Sequence, residues 1–158
     1  MSTAGKSQHS VVIGLLLIIA VLAAGCASQQ PYKIGFAAGL TGRQSDIGVA
    51  GRNGVILAVE EINKAGGIKG RQAELIVKDD KNAPDFIQTV DAELISAGAT
   101  VIIGHMTSAA AVAALPVADS GQVLIISPTA RAEELAGRDD LMITVIPALS
   151  WIIGLSLL

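Results

Sequence analysis

The sequence predicts an α/β fold, a Rossmann-like parallel sheet flanked by helices. Three observations predict it. Short apolar runs, "KIGFA", "TVIIG" and "VLIIS", alternate with longer segments whose apolar residues recur at helical spacing, which implies parallel βαβ units. The central runs lack polar alternation, as strands covered on both faces do. The apolar content is high while aromatics are few, 51% against 3%, so Ala, Val and Ile dominate, as suits a sheet buried under helices.

The chain begins with a leader, residues 1–25. Val11–Ala24 carries no charge, and Lys6 precedes it without an acidic neighbour. A helix of this length reaches about 21 Å, short of the ~30 Å hydrocarbon core, so it reads as a secretory signal rather than a membrane span. Leu22-Ala23-Ala24-Gly25 stands before Cys26, the only cysteine of the chain. This segment resembles the lipobox of bacterial lipoproteins, in which the cysteine is acylated and becomes the anchor. It departs from that pattern at Ala23, where leucine is usual. The alternative is an ordinary cleavage site, after Ala27, with an incidental cysteine. A lone cysteine has no internal disulfide partner in an exported chain. Cleavage before Cys26 leaves residues 26–158, enough for one domain with its own core.

Residues 26–32 form a polar tether ending beside Pro31. Lys33–Ala37 is the first strand, and "GLTGRQSDIG", Gly39–Gly48, is a loop leading into a helix that runs to Ala65. In that helix Ile47, Gly51, Gly54, Val55, Ala58 and Ile62 lie within about 100° of one another, with Arg52, Asn53, Glu60, Asn63 and Lys64 opposite. The glycines of "AGGIKG" stop it. "QAELIVKDD" is the second strand. Pro84 opens a second helix with Ala83, Ile87, Val90 and Leu94 on one face. Thr100–Gly104 is a doubly covered strand, Ser108–Ser120 an Ala-rich helix kinked at Pro116, and Val123–Ser127 a fourth strand. Glu133–Leu135 makes at most one helical turn, and Leu141–Ile146 is a fifth strand. Ligands of such sheets sit outside the carboxyl ends of the strands, at Gly39–Gly48, Gly104–Ser108 and Ser127–Arg131.

Four segments in order, "KIGFAAGLTG", "AVEEINKAGGIKGRQAELIVKDDKNAP", "VIIGHMTSAAAVAALPVA" and "LIISPTA", resemble the leucine/isoleucine/valine-binding family of periplasmic substrate-binding proteins. The resemblance runs from Lys33 to about Pro147 and implies the N-terminal lobe (residues 33–147) of a type I periplasmic binding protein fold. In the family a second lobe closes the ligand cleft by hinge motion. The resemblance also implies a small-molecule ligand, a branched-chain amino acid or related amide or carboxylate. It further implies the permease subunits of an ABC importer as partners, and a place in the periplasm or on the outer face of the cell membrane. No cofactor, metal or catalysis is implied.

The family's carboxylate-binding serine falls on Ser108, in a loop shared with Met106 and Thr107. Its place at a helix start suits an anion, and a plain N-cap is the alternative role. Thr129 matches a position whose main chain holds the ligand. Arg131 stands where the family has threonine or serine, which suits an additional ligand carboxylate or closes the site. Ile47 falls where the family often has an aromatic wall.

Other classes are less well supplied. The net charge is −3, with no basic stripe and four aromatics, Tyr32, Phe36, Phe86 and Trp151, which argues against nucleic acid. Asp79 and Asp80 read as the end of the second strand, facing solvent or capping the next helix, rather than as a catalytic or metal-binding pair. His105 reads as a structural, hydrogen-bonding histidine, and His9 belongs to the leader. A nucleotide-dependent Rossmann enzyme would need G-x-G-x-x-G, whereas the first loop offers Gly39, Gly42 and Gly48. A sensor or receptor ectodomain of the same fold stays open as an alternative. The apolar ending, residues 148–158, lacks the polar hinge that would lead to a second lobe and reads as a truncated or frame-shifted end, or as an ordinary buried segment.

Overall fold

The computed structural model describes residues 30–146. The leader, Cys26 and the apolar ending lie outside the described residues.

Five strands form one parallel sheet: β1 (Tyr32–Ala38), β2 (Ala73–Asp79), β3 (Val101–Gly104), β4 (Leu124–Ser127) and β5 (Met142–Thr144). Their spatial order is β2-β1-β3-β4-β5. The chain moves outward from β1 to β2, then returns across β1 to β3, so the direction of winding reverses between β1 and β3. In sheets of this kind a crevice opens beyond the carboxyl ends of the strands at that point.

The connections are α1 (Ser45–Lys64), α2 (Pro84–Ser96), α3 (Ser108–Ala113), α4 (Leu115–Asp119) and a short 3-10 turn, Glu133–Leu135. Strand periodicity divides the core in two. Ile34 of β1 meets Val59 and Val55 of α1. Ala37 belongs to the opposite layer with Ile102, Ile125, Ile87, Val90 and Leu94. Gly35 points the same way, and a Cβ there would stand 3.1 Å from Leu94, so a side chain at this position would push α2 off the sheet.

Three expectations need correction. The buried face of α1 is turned from the expected one: Gly48 and Val59 are buried, while Ile47, Gly54 and Ala58 are exposed. Close approach decides this. A Cβ on Gly48 would lie 2.1 Å from the Gly39 carbonyl oxygen, and one on Gly51 would lie 2.4 Å from Met106 Cε, so these glycines mark the true contact line. Asn63, expected on the outer face, donates to the Ala73 carbonyl and accepts from the Ala73 N–H, both at 2.8 Å, satisfying the start of edge strand β2.

The Ser108–Ser120 helix is broken rather than kinked. Pro116 has no N–H to give Val112, so α3 ends at Ala113 and α4 begins at Leu115. The third correction concerns Asp80, which is fully buried rather than solvent-facing.

Candidate functional site

The crevice is built from the loops after β1, β3 and β4, and from the end of β2. Asp79 organises the first loop. Its Oδ1 accepts from the main-chain N–H of Leu40 at 2.8 Å and of Lys81 at 2.9 Å, and its Oδ2 accepts from the Thr41 hydroxyl at 2.6 Å. Desolvation alone would raise its pKa, but the Thr41 hydroxyl and the main-chain donors outweigh it and hold the carboxyl below the usual range. Asn82 ties this loop to the one after β3. Its Nδ2 donates to the Arg43 carbonyl at 3.0 Å, and its Oδ1 accepts from the Thr107 hydroxyl at 3.4 Å.

The loop after β3 starts at Gly104, whose φ of +144° and position 2.0 Å from the Ala37 oxygen, measured from an ideal Cβ, leave no room for a side chain. His105 then turns inward and is fully buried. Its Nδ1 lies 2.5 Å from Asp80 Oδ2 and its Nε2 lies 3.1 Å from Asp91 Oδ1. Burial pulls the imidazole toward neutrality, but the hydrogen bonds to Asp80 and Asp91 and their charges prevail, raising its pKa to about 9.

Met106 packs its side chain into the core beside Phe36 and Ala38, and its carbonyl is engaged by the loop after β4. Thr107 is the N-cap of α3, accepting from the Ala110 N–H at 3.3 Å, so Ser108 is the first helical residue rather than the cap. Freed from capping, Ser108 uses its oxygen differently: it accepts from the Arg131 N–H at 3.0 Å. Among the described residues the hydroxyl proton has no acceptor.

The loop after β4 laces the previous one in place. The Ser127 hydroxyl donates to the His105 carbonyl and the Thr129 hydroxyl to the Met106 carbonyl, each at 2.6 Å. The structure thus brings Met106, Thr107, Ser108, Thr129 and Arg131 into two adjoining, cross-linked loops. Ile47 stands separately on the first turn of α1, 37% exposed. The Arg131 side chain is exposed and enters no ion pair among the described residues.

Sequence reasoning missed Asp79, Asp80, Asn82 and Asp91 as organisers of the site. A signal existed for Asp91. It lies between Val90 and Leu94 on the apolar face of α2, and a carboxylate there needs a buried partner. Histidine was the available candidate. Among the described residues no cluster of ligating side chains could hold a metal ion.

A parallel sheet whose winding reverses between β1 and β3, with interlaced loops beyond the carboxyl ends of its strands, defines an α/β lobe of the doubly wound class. The family described as periplasmic binding protein matches residues 31–148, and the chain belongs to it. That family is one of binding proteins and is not an enzyme class. Over 126 residues the chain is 33% identical to the leucine-, isoleucine-, valine-, threonine- and alanine-binding protein of Pseudomonas aeruginosa, covering 77% of this chain and 34% of that one. Among solved structures it is similar to the branched-chain amino acid transporter substrate-binding protein of Streptococcus pneumoniae, in complex with isoleucine. The TM-score is 0.71 at 33% identity, over 75% of this chain and 34% of the other. A solute-binding protein of an ABC transporter from Rhodopseudomonas palustris, in complex with 3,4-dihydroxybenzoic acid, has a TM-score of 0.68 at 30% identity, over 80% and 35%. The chain spans about a third of the length of these relatives and matches their N-terminal part.

Proposed function

We propose that this chain supplies the N-terminal lobe of an exported solute-binding protein serving an ABC importer, and that its crevice takes the carboxylate of an amino acid or a related small carboxylate. The observation that carries the reading is the state of the Ser108 hydroxyl. Its oxygen is engaged by the Arg131 N–H, and its proton is free to donate to an anion. The main chain of Met106 and Thr129 offers further polar groups on the adjoining loops. Because α3 has only six residues, its dipole is small, and the hydroxyl and local N–H groups carry the recognition. The bound ligands of the two relatives above, isoleucine and a dihydroxybenzoic acid, share a carboxylate and little else, which agrees with a carboxylate-centred site. We also assign Cys26 as the lipid attachment point, on the lipobox-like residues before it.

One lobe provides one wall of contacts, so affinity in this chain is weak, about 1 mM or poorer, near −4 kcal/mol. Amide NMR reads such binding directly. Titration with L-isoleucine moves the Ser108, Ala109, Thr129 and Arg131 amides, and Ser108→Ala abolishes the movement. With L-glutamate, an Arg131 that meets a second carboxylate gives larger shifts, which Arg131→Thr removes. Amides at these loops that stay unmoved by isoleucine, leucine and glutamate at tens of millimolar would refute the reading.

A further inference from the structure

Three side chains beneath the crevice have no part in the proposed ligand contacts, yet all its loops converge on them. Asp80, Asp91 and His105 are each fully buried. Both ring nitrogens of His105 face a carboxylate oxygen, at 2.5 Å and 3.1 Å. A neutral imidazole has one donor and one acceptor nitrogen, so only the imidazolium gives each carboxylate a proton. Two carboxylates around one cation leave the cluster with an unbalanced negative charge, and Asp91 Oδ2 has no hydrogen-bond partner among the described residues. Such a cluster is a poor way to hold apolar layers together, because hydrophobic residues in its place are often as stable.

What it holds is a set of loops. Asp80 Oδ1 accepts from the Asn82 N–H at 2.7 Å, and Asn82 reaches both Arg43 and Thr107. The His105 carbonyl receives the Ser127 hydroxyl. Asp91 stands on α2 and, among the described residues, is the α2 side chain hydrogen-bonded to this network. Neighbouring charges are turned elsewhere. Lys78 of β2 pairs with Glu93 of α2 at 2.6 Å, Asp79 faces Leu40, Thr41 and Lys81, Asp85 is exposed, and Lys33 of β1 donates to the Ala97 carbonyl. Neither α3 nor β4 carries an ionisable side chain.

We propose that Asp91 is a positioning residue: it anchors the His105 imidazolium to α2, and the anchored ring holds the β3 loop so that the Ser108 hydroxyl points into the crevice. Loss of the ring proton breaks one of the two anchors and loosens the loop, so the crevice is ordered at neutral pH and relaxed in alkali. The proposal rests on the reading of Ser108 as a ligand contact, and its test is made without ligand so that the two can fail separately.

The full chain, kept in solution with a mild detergent, is labelled with 15N, and the ring nitrogens of His105 are followed from pH 6 to 10. His9, the only other histidine, is removed by His9→Gln. Exchange of the Ala110, Ala111 and Arg131 amides, which bond to Thr107 and Ser108, reports on the loop, and exchange of the Ala73 amide, bonded to Asn63, serves as a distant control. Both ring nitrogens are expected to be protonated at pH 7. Asp91→Asn keeps an oxygen acceptor but removes the charge, and lowers the titration midpoint by about one pH unit or more. In each protein, exchange at the loop amides, corrected for its intrinsic pH dependence, rises about tenfold across that protein's own ring midpoint, while Ala73 does not follow it. A neutral ring at pH 7, a midpoint unmoved by Asp91→Asn, or loop exchange indifferent to the ring's titration overturns the proposal. If Asp91→Asn fails to fold, the native chain still decides through the ring state and the match between ring and loop midpoints. Positive ring and exchange results beside a silent isoleucine titration refute the Ser108 reading alone.

Discussion

Raising the pH from 6 to 9.5 removes a stabilisation whose size follows from His105. An unperturbed histidine titrates near 6.5, and the folded protein holds this one at about 9. Each pKa unit corresponds to about 1.4 kcal/mol, so the imidazolium contributes on the order of 3 kcal/mol. The folded value is the higher one, so the contribution is complete below about pH 6.5, falls between 6.5 and 9, and is gone above. Asp79 and Asp140 act at the other end of the scale. Their folded pKa values are lowered, so what they contribute is present above about 3.8 and is lost only in acid, leaving the alkaline window to His105. Urea unfolding at half-unit pH steps reads the effect. With a urea dependence of about 1–3 kcal/mol per molar, the midpoint falls by about 1–3 M across the window. His105→Gln unfolds at lower urea at pH 6 and loses most of this slope. A native profile flat between pH 6 and 9.5, or a variant that keeps the native slope, would show that the ring is not held as an imidazolium.

Other perturbations have equally definite outcomes. Gly104→Ala places a Cβ 2.0 Å from the Ala37 oxygen at a φ of +144°, and destabilises by at least about 2 kcal/mol in urea titration, far more than Gly54→Ala on the exposed side of α1, where nothing lies within 4 Å. Asn63→Ala strips both partners from Ala73 at the edge of the sheet and costs about 1–3 kcal/mol by the same assay, with β2 amides exchanging sooner than those of β3. Cys26→Ser moves the chain from the membrane to the soluble fraction after a salt wash, a large effect because two acyl chains anchor stably where one does not. Equal membrane retention of both forms would remove the lipid from the account.

Much of the architecture was legible without coordinates because it is written in local periodicity. The apolar runs at Lys33–Ala37, Thr100–Gly104 and Val123–Ser127 became β1, β3 and β4, and Ile87, Val90 and Leu94 became the inner face of α2. Even the crevice loops followed, since a parallel sheet opens beyond its strands' carboxyl ends. Tertiary structure decided what depends on approach between segments far apart in the chain. The face of α1 was set by where Gly48 and Gly51 let the helix close on Gly39 and Met106, a contact that outweighed the helix's own apolar pattern. "MTS" offers two residues able to cap α3, and the path of the chain out of β3 assigned the cap to Thr107, freeing Ser108 to meet Arg131. Asp80 and His105 looked ordinary alone, and Asp91 on the apolar face of α2 signalled a buried partner without naming it. His105 stands 25 residues from Asp80 and 14 from Asp91, and only the winding of β2, α2 and β3 around one buried point turns three unrelated polar residues into a paired cation beneath the crevice.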